Sequence, residues 1–134
     1  MGESAPGLTP DSATPSALSW TATGAGELAL RERDGSALLT LRCAGGVMTA
    51  IAPGFQEVAS EERFSLGADD QVFILVAQLG QERGVRAEGP PSQSFLDRLP
   101  SANAVQANYG AQNLGPHIPP SPEQARRFVS ACRS

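Results

Sequence analysis

The run Asp70-Gln71-Val72-Phe73-Ile74-Leu75-Val76-Ala77-Gln78-Leu79 is the only long apolar stretch in the chain. Its β-branched and aromatic residues, with a turn signal before it (Gly67-Ala68-Asp69-Asp70) and Gly80 after it, select a strand over a short buried helix. Alternation puts Val72, Ile74 and Val76 on one face and Phe73, Leu75 and Ala77 on the other. Both faces of such a strand are expected to be covered, which makes it a central strand.

The segments before it read as a meander. Ala17 to Thr23 forms a short strand carrying the only Trp, Trp20, and Gly24-Ala25-Gly26 turns the chain. Glu27 to Arg33 alternates, with Leu28 and Leu30 on one face. Asp34-Gly35 is a two-residue hairpin signal, because a type I′ turn needs positive φ at both central positions. On the return strand, Ala37 to Cys43, parity puts Leu39, Leu41 and Cys43 on one face, so Cys43 points at the core. Gly45-Gly46 turns the chain again, and Val47 to Ala52 continues until Pro53-Gly54. Phe55 to Ser60 reads as either a short edge strand or an irregular crossing. Arg63 to Leu66 is a short strand, and Val85 to Glu88 is the last of this series, closed by Gly89-Pro90-Pro91. Turn signals at roughly eight- to twelve-residue intervals mark an antiparallel sandwich or barrel.

The pattern then changes. Phe95, Leu96 and Leu99 fall at helical spacing, with Ser92 or Ser94 as N-cap and Pro100 as the stop. Ala104 to Tyr109 is extended, with Val105, Ala107 and Tyr109 on one face, and Gly110 to Pro120 reads as a long Pro-containing loop. Ser121-Pro122-Glu123-Gln124 is a helix start: Ser121 caps, Pro122 takes the first helical position and Gln124 completes a capping box. Ala125, Phe128, Val129 and Cys132 then form one apolar stripe. The expected fold is mainly β: an antiparallel β-sandwich or partly open barrel, with a short helix near 92–99 and a C-terminal helix near 122–132.

With 134 residues, 40% of them apolar, the chain suffices for one domain with a core. Beyond Met1, residues 1–16 contain three Pro and a single large apolar residue, Leu8, which cannot offset the entropy of ordering. They read as a disordered tether before a single domain over 17–134. Two origins stay open for that tether: an ordinary disordered terminus, or the polar segment that follows the lipid-bearing cysteine of a bacterial lipoprotein, with Met1 as an added start. The net charge of −4 is dispersed, and all ten basic residues are Arg, as a GC-rich coding sequence would produce. No basic stripe suggests a nucleic-acid surface. No apolar run approaches the roughly 18 residues of a membrane-spanning helix.

The chain has two cysteines, both expected to face inward, one on an early strand and one on the last helix. A Cys43–Cys132 disulfide would pin that helix across the sheet; the alternative is two separate buried thiols. A disulfide would imply an oxidising compartment. The strand ending Leu41-Arg42-Cys43, the later Phe95-Leu96-Asp97-Arg98-Leu99 followed by a strand, and the terminal Phe128-Val129-Ser130-Ala131-Cys132 resemble the layout of small secreted proteobacterial β-sandwich proteins of the invasion-associated locus B and VasI types. That resemblance, over residues 37 to 134, implies a periplasmic, outer-membrane-anchored or secreted location. It supplies no catalytic residues.

Chemistry-bearing motifs are sparse. His117, the only histidine, lacks metal-ligand spacing and a Gly-x-Ser-x-Gly elbow to serve. Asp69-Asp70 lacks the alternating oxygen ligands of a calcium loop and reads as a solvated turn. No metal or cofactor is expected. The candidate ligand-binding surface is the amide-rich run Asn108, Tyr109, Gln112, Asn113 and His117, placed on a long loop and suited to a protein or cell-wall glycan. The expected function is a non-enzymatic envelope or secreted binding protein. Alternatives are an inhibitor of a secreted lytic enzyme such as a lysozyme, acting through residues 110–120, and a small hydrolase using His117.

Overall fold

The computed structural model describes residues 18–80 and 83–133. The expected tether lies outside the described residues. Nine strands form one sheet: β1 (Ser19–Gly24), β2 (Glu27–Arg31), β3 (Ala37–Ala44), β4 (Val47–Ala52), β5 (Arg63–Ala68), β6 (Gln71–Gln78), β7 (Val85–Gly89), β8 (Val105–Tyr109) and β9 (Gln112–His117). Their spatial order is β1-β2-β3-β4-β7-β6-β5-β8-β9, and every neighbouring pair is antiparallel. The sheet curls into a half-barrel, so the partly open barrel is the form adopted. Two helices, α1 (Gln93–Arg98) and α2 (Pro122–Cys132), complete the chain, with a 3-10 turn over Leu99–Ser101 following α1. The apolar run becomes β6, which lies inside the sheet between β7 and β5.

Turn chemistry sets the register. Gly45 and Gly46 both have positive φ, 60° and 79°, so they, and not Asp34-Gly35, satisfy the two-residue type I′ requirement. At the β2–β3 connection only Gly35 is left-handed. The Gly35 N–H donates to Glu32 O, the Glu32 N–H donates to Ser36 O, and the Asp34 carboxylate accepts the Ser36 N–H. This is a three-residue loop ending in a left-handed glycine. Phe55 to Ser60 is an irregular crossing.

The expected loop over 110–120 is also corrected. Gly110 turns the chain tightly and Gln112–His117 returns as β9, pairing Tyr109 with Gln112, Asn108 with Asn113 and Ala107 with Leu114. The register shifts before Val105 meets His117, which puts Gly115 and Pro116 in a bulge. An edge strand tolerates proline there because no ladder bond is required of it. A Cβ on Gly115 would lie 2.8 Å from Val105 O, so this close approach needs glycine.

The core lies on the concave face. Leu28, Leu30, Leu39, Leu41, Met48, Phe64, Leu66, Leu75 and Tyr109 point inward and are fully buried. The helices cover them: α1 contributes Phe95 and Leu96, α2 contributes Ala125, Phe128, Val129 and Cys132, and the Phe73 and Phe95 rings lie 5.1 Å apart. Both N-caps form as the side-chain pattern requires, on Ser92 and on Ser121, the latter with the full Ser121–Gln124 capping box. An eleven-residue helix is marginal alone, so α2 depends on its docking. Three covalent or polar ties hold it there. Cys132 is disulfide-bonded to Cys43 on β3, the Gln124 amide donates to Trp20 O, and Arg133 bonds the Asp97 carboxylate and Gln93 of α1.

The Cys43–Cys132 bridge joins residues 89 apart. By the chain-entropy relation, such a crosslink is worth on the order of 4 kcal/mol. The Cys43→Ala/Cys132→Ala double variant is expected to unfold at correspondingly lower urea, and reductant should shift the parent protein toward it while leaving the variant unchanged.

Candidate functional site on the outer sheet face

Both helices pack on the concave side, and among the described residues no second layer covers the convex side. Val72, Ile74 and Val76 are therefore 53%, 49% and 51% exposed, which overturns the expectation that both faces of β6 are covered. The curled sheet needs only one buried face, because the core is closed by α1 and α2 and not by another sheet. The three side chains make a ridge of branched aliphatics along one strand.

A trough runs beside the ridge. The outward residues of β5 are Arg63, Ser65 and Gly67, opposite Val76, Ile74 and Val72 respectively. Small residues at two of these three positions leave the strand low. At Gly67 the space is filled by a neighbour: a Cβ there would lie 2.8 Å from Gln106 Nε2 and 3.0 Å from Val72 Cγ2. At Ser65 it is open, a cleft of about 170 Å³ lined by Glu61, Arg63, Ser65, Ile74, Asn108 and Gly110. Arg63 stands at its end with a side chain 79% exposed and only a 3.6 Å approach to Glu61. A wider cleft, about 650 Å³, separates α1 and α2, but its Leu96 and Val129 are already buried as helix packing.

Asp69 anchors one end of the trough. It adopts a positive φ of 56°, its carboxylate accepts from Arg98 Nε at 2.6 Å and from the Asn103 and Ala104 N–H groups, and its carbonyl accepts from the Gln106 amide at 3.2 Å. The Asp69-Asp70 turn is thus no freely solvated turn: Asp69 ties the β5–β6 turn to the chain entering β8. The Arg98 hydrogen bond, with help from the two backbone donors, holds the Asp69 carboxyl below its usual range.

The five expected ligand residues separate. Asn108 and Asn113 sit opposite each other across β8 and β9, with Asn108 on the cleft wall. Tyr109 is turned inward and fully buried. Its hydroxyl accepts the Val58 N–H and lies within hydrogen-bond reach of the Val58 and Glu61 carbonyls, so it holds the β4–β5 crossing. The Gln112 amide does similar work, accepting from Gln56 N and donating to Gln56 O, both at 2.7 Å. His117 pairs with Val105 at the other end of β9 and is half-buried. Among the described residues no three His, Cys, Asp or Glu side chains converge as a metal site. Sequence reasoning missed Arg63, Ser65 and Ile74. The usable signal was that the strands flanking β6 alternate with polar residues, Arg63 and Ser65 on one side and Arg86 and Glu88 on the other.

No family model, curated protein or solved structure matches the chain.

Two substitutions separate scaffold from surface. Because the folded-state pKa of Asp69 is depressed, its contribution is present above the unfolded value, near 3.8, and is lost as pH falls through the folded value. Asp69→Asn should lower the melting temperature at pH 7, with the gap to the parent narrowing below about pH 4. Tyr109→Phe removes the hydroxyl that serves Val58 and Glu61 and should cost about 1–2 kcal/mol in urea unfolding; an unchanged midpoint would mean that the hydroxyl does not hold the β4–β5 crossing.

Proposed function

We propose that the protein is a non-enzymatic binding protein of an oxidising bacterial compartment, periplasmic or secreted, that takes a polypeptide partner on the outer face of β5, β6 and β8. The observation that carries this reading is the half-exposed ridge of Val72, Ile74 and Val76 in the middle of a sheet. Covering the remaining half of three branched aliphatic side chains is favourable by about 1 kcal/mol each. A contiguous apolar strip beside a polar-walled trough is the kind of surface that marks an interaction site. A polypeptide suits it better than a glycan, because the aromatic platform that saccharides favour is missing: the Tyr109 ring faces the core.

The disulfide supports the compartment, since such bonds persist where thiols are oxidised. The resemblance to secreted proteobacterial sandwich proteins points the same way. An inhibitor acting through residues 110–120 has less support, because that segment includes a paired strand and not a protruding loop.

Two measurements test the reading. Protein isolated without reductant from its own cells should contain no free thiol, and two free thiols would remove the compartment argument. Ile74→Asp should lower stability by about 1 kcal/mol, as replacing a β-branched residue by Asp in a strand does, should leave the protein folded, and should abolish retention of the partner captured by the parent protein from envelope extract. Undiminished retention would mean that the partner docks elsewhere.

A further inference from the structure

We infer that the occupant of this outer face is a second copy of the chain, packed sheet to sheet about a two-fold axis running between β5 and β6. The inference rests on the reading of this face as a docking surface and names what docks there.

The outer face is self-complementary. A two-fold interface places the same patch on both sides, so it needs a protrusion and its matching recess on one surface. Here the ridge on β6 and the trough on β5 lie on adjacent strands, about 4.8 Å apart. An axis parallel to the strands and midway between β5 and β6 sets β6 of one copy over β5 of the other. Residues keep their cross-strand row under that rotation. Ile74 then faces Ser65 of the second copy and enters the open cleft beside it, while Val72 faces the filled position at Gly67. Val76 faces Arg63.

Charge fits the same operation. Arg63, Val76 and Glu88 lie in one row across β5, β6 and β7. When Arg63 of the second copy lies over Val76, its guanidinium comes beside Glu88, and the reciprocal pair forms on the other side of the axis. Both groups are free enough to exchange partners. Arg63 is 79% exposed and only loosely paired with Glu61, and Glu88 is held at 3.0 Å by Arg86 in a surface pair, which is worth little. The other ion pair in this row, Glu27 with Arg42, is self-neutralised at 2.8 Å and sits farther out on β2 and β3.

Curvature limits the contact. The convex faces of two half-barrels can touch only along the strands nearest the axis, burying on the order of 1,000 Å² in total, below the standard size of a specific interface. The dimer should therefore be reversible, with a micromolar dissociation constant.

Analytical ultracentrifugation of the full oxidised chain from 1 to 500 µM tests this. The parent is expected to pass from monomer to dimer across this range. Ile74→Asp should weaken association by at least about 30-fold, and Ile74→Thr, which keeps the β-branch and guards against a folding defect, should weaken it less. Arg63→Glu and Glu88→Arg should each weaken it about 10-fold, and the two together in one chain should restore it, because the cross-copy pair is re-formed with its signs exchanged. A parent that stays monomeric at 500 µM, a dimer indifferent to Ile74→Asp, or failure of the combined charge swap to restore association would overturn the inference. A monomeric parent whose envelope partner is still lost on Ile74→Asp would leave the docking surface standing with a different occupant. If Ile74→Asp alters neither property, the docking surface falls too.

Discussion

Everything in this fold depends on how the concave face of one sheet is covered. A nine-stranded sheet that curls but does not close has a single interior, and the described residues put only two short helices into it. α2 is the larger of the two and is too short to be stable by itself, so its hold on the sheet is the weak point of the design. The Cys43–Cys132 bond removes that weakness. It joins α2 to β3, and Gly26 makes room for the junction: a Cβ there would lie 2.6 Å from Cys43 O and 3.4 Å from the Ala131 side chain. The bridge and the Arg133 contacts with α1 hold the C-terminal end of the helix and the Trp20–Gln124 bond holds its first turn, so both ends are tied down.

Putting both helices on one side has a consequence for the other. A strand at the centre of a sheet can be apolar on both faces only if both are covered, and here one is not. Most of the outer face is managed in the usual way, with ion pairs Glu27–Arg42 and Arg86–Glu88 and with Thr40 and Thr49 between them. β6 departs from that pattern. Its outward Val72, Ile74 and Val76 are consecutive branched aliphatics while the strands on either side carry mostly polar residues; β4 also turns Val47 and Ile51 outward, but with Thr49 between them, so the unbroken ridge on β6 is the reason to place function there.

Much of the scaffold was legible in the chain, and particular residues show why. Gly45-Gly46, the Ser121–Gln124 capping box and the alternation of Leu39, Leu41 and Cys43 act through nearest neighbours, so their outcome is written locally. The misreadings share a cause. Gly115 and Pro116 look like loop residues, yet as an edge-strand bulge they pair with β8. Asp69-Asp70 looks like a solvated turn, yet Asp69 reaches residues 98 to 106. The candidate site was legible only in part: Asn108 and Asn113 do meet on the outer face, whereas Tyr109 and Gln112 are occupied with the 56–61 crossing and His117 lies apart.

The sequence by itself determined eight of the nine strands, both helices, the inward face of those elements and the opportunity for a disulfide, because these follow from periodicity and from turn and cap chemistry within a few residues; β9, whose Gly115 and Pro116 mask its pairing, was not among them. Only the tertiary structure decided which strands became neighbours, that β7 lies between β4 and β6 and β5 between β6 and β8, and that both helices occupy the same face. Those choices bring Ser65, Ile74 and Asn108 to one cleft and leave Val72, Ile74 and Val76 in the open. They depend on long-range burial summed over the whole core, a quantity that no local window of residues contains.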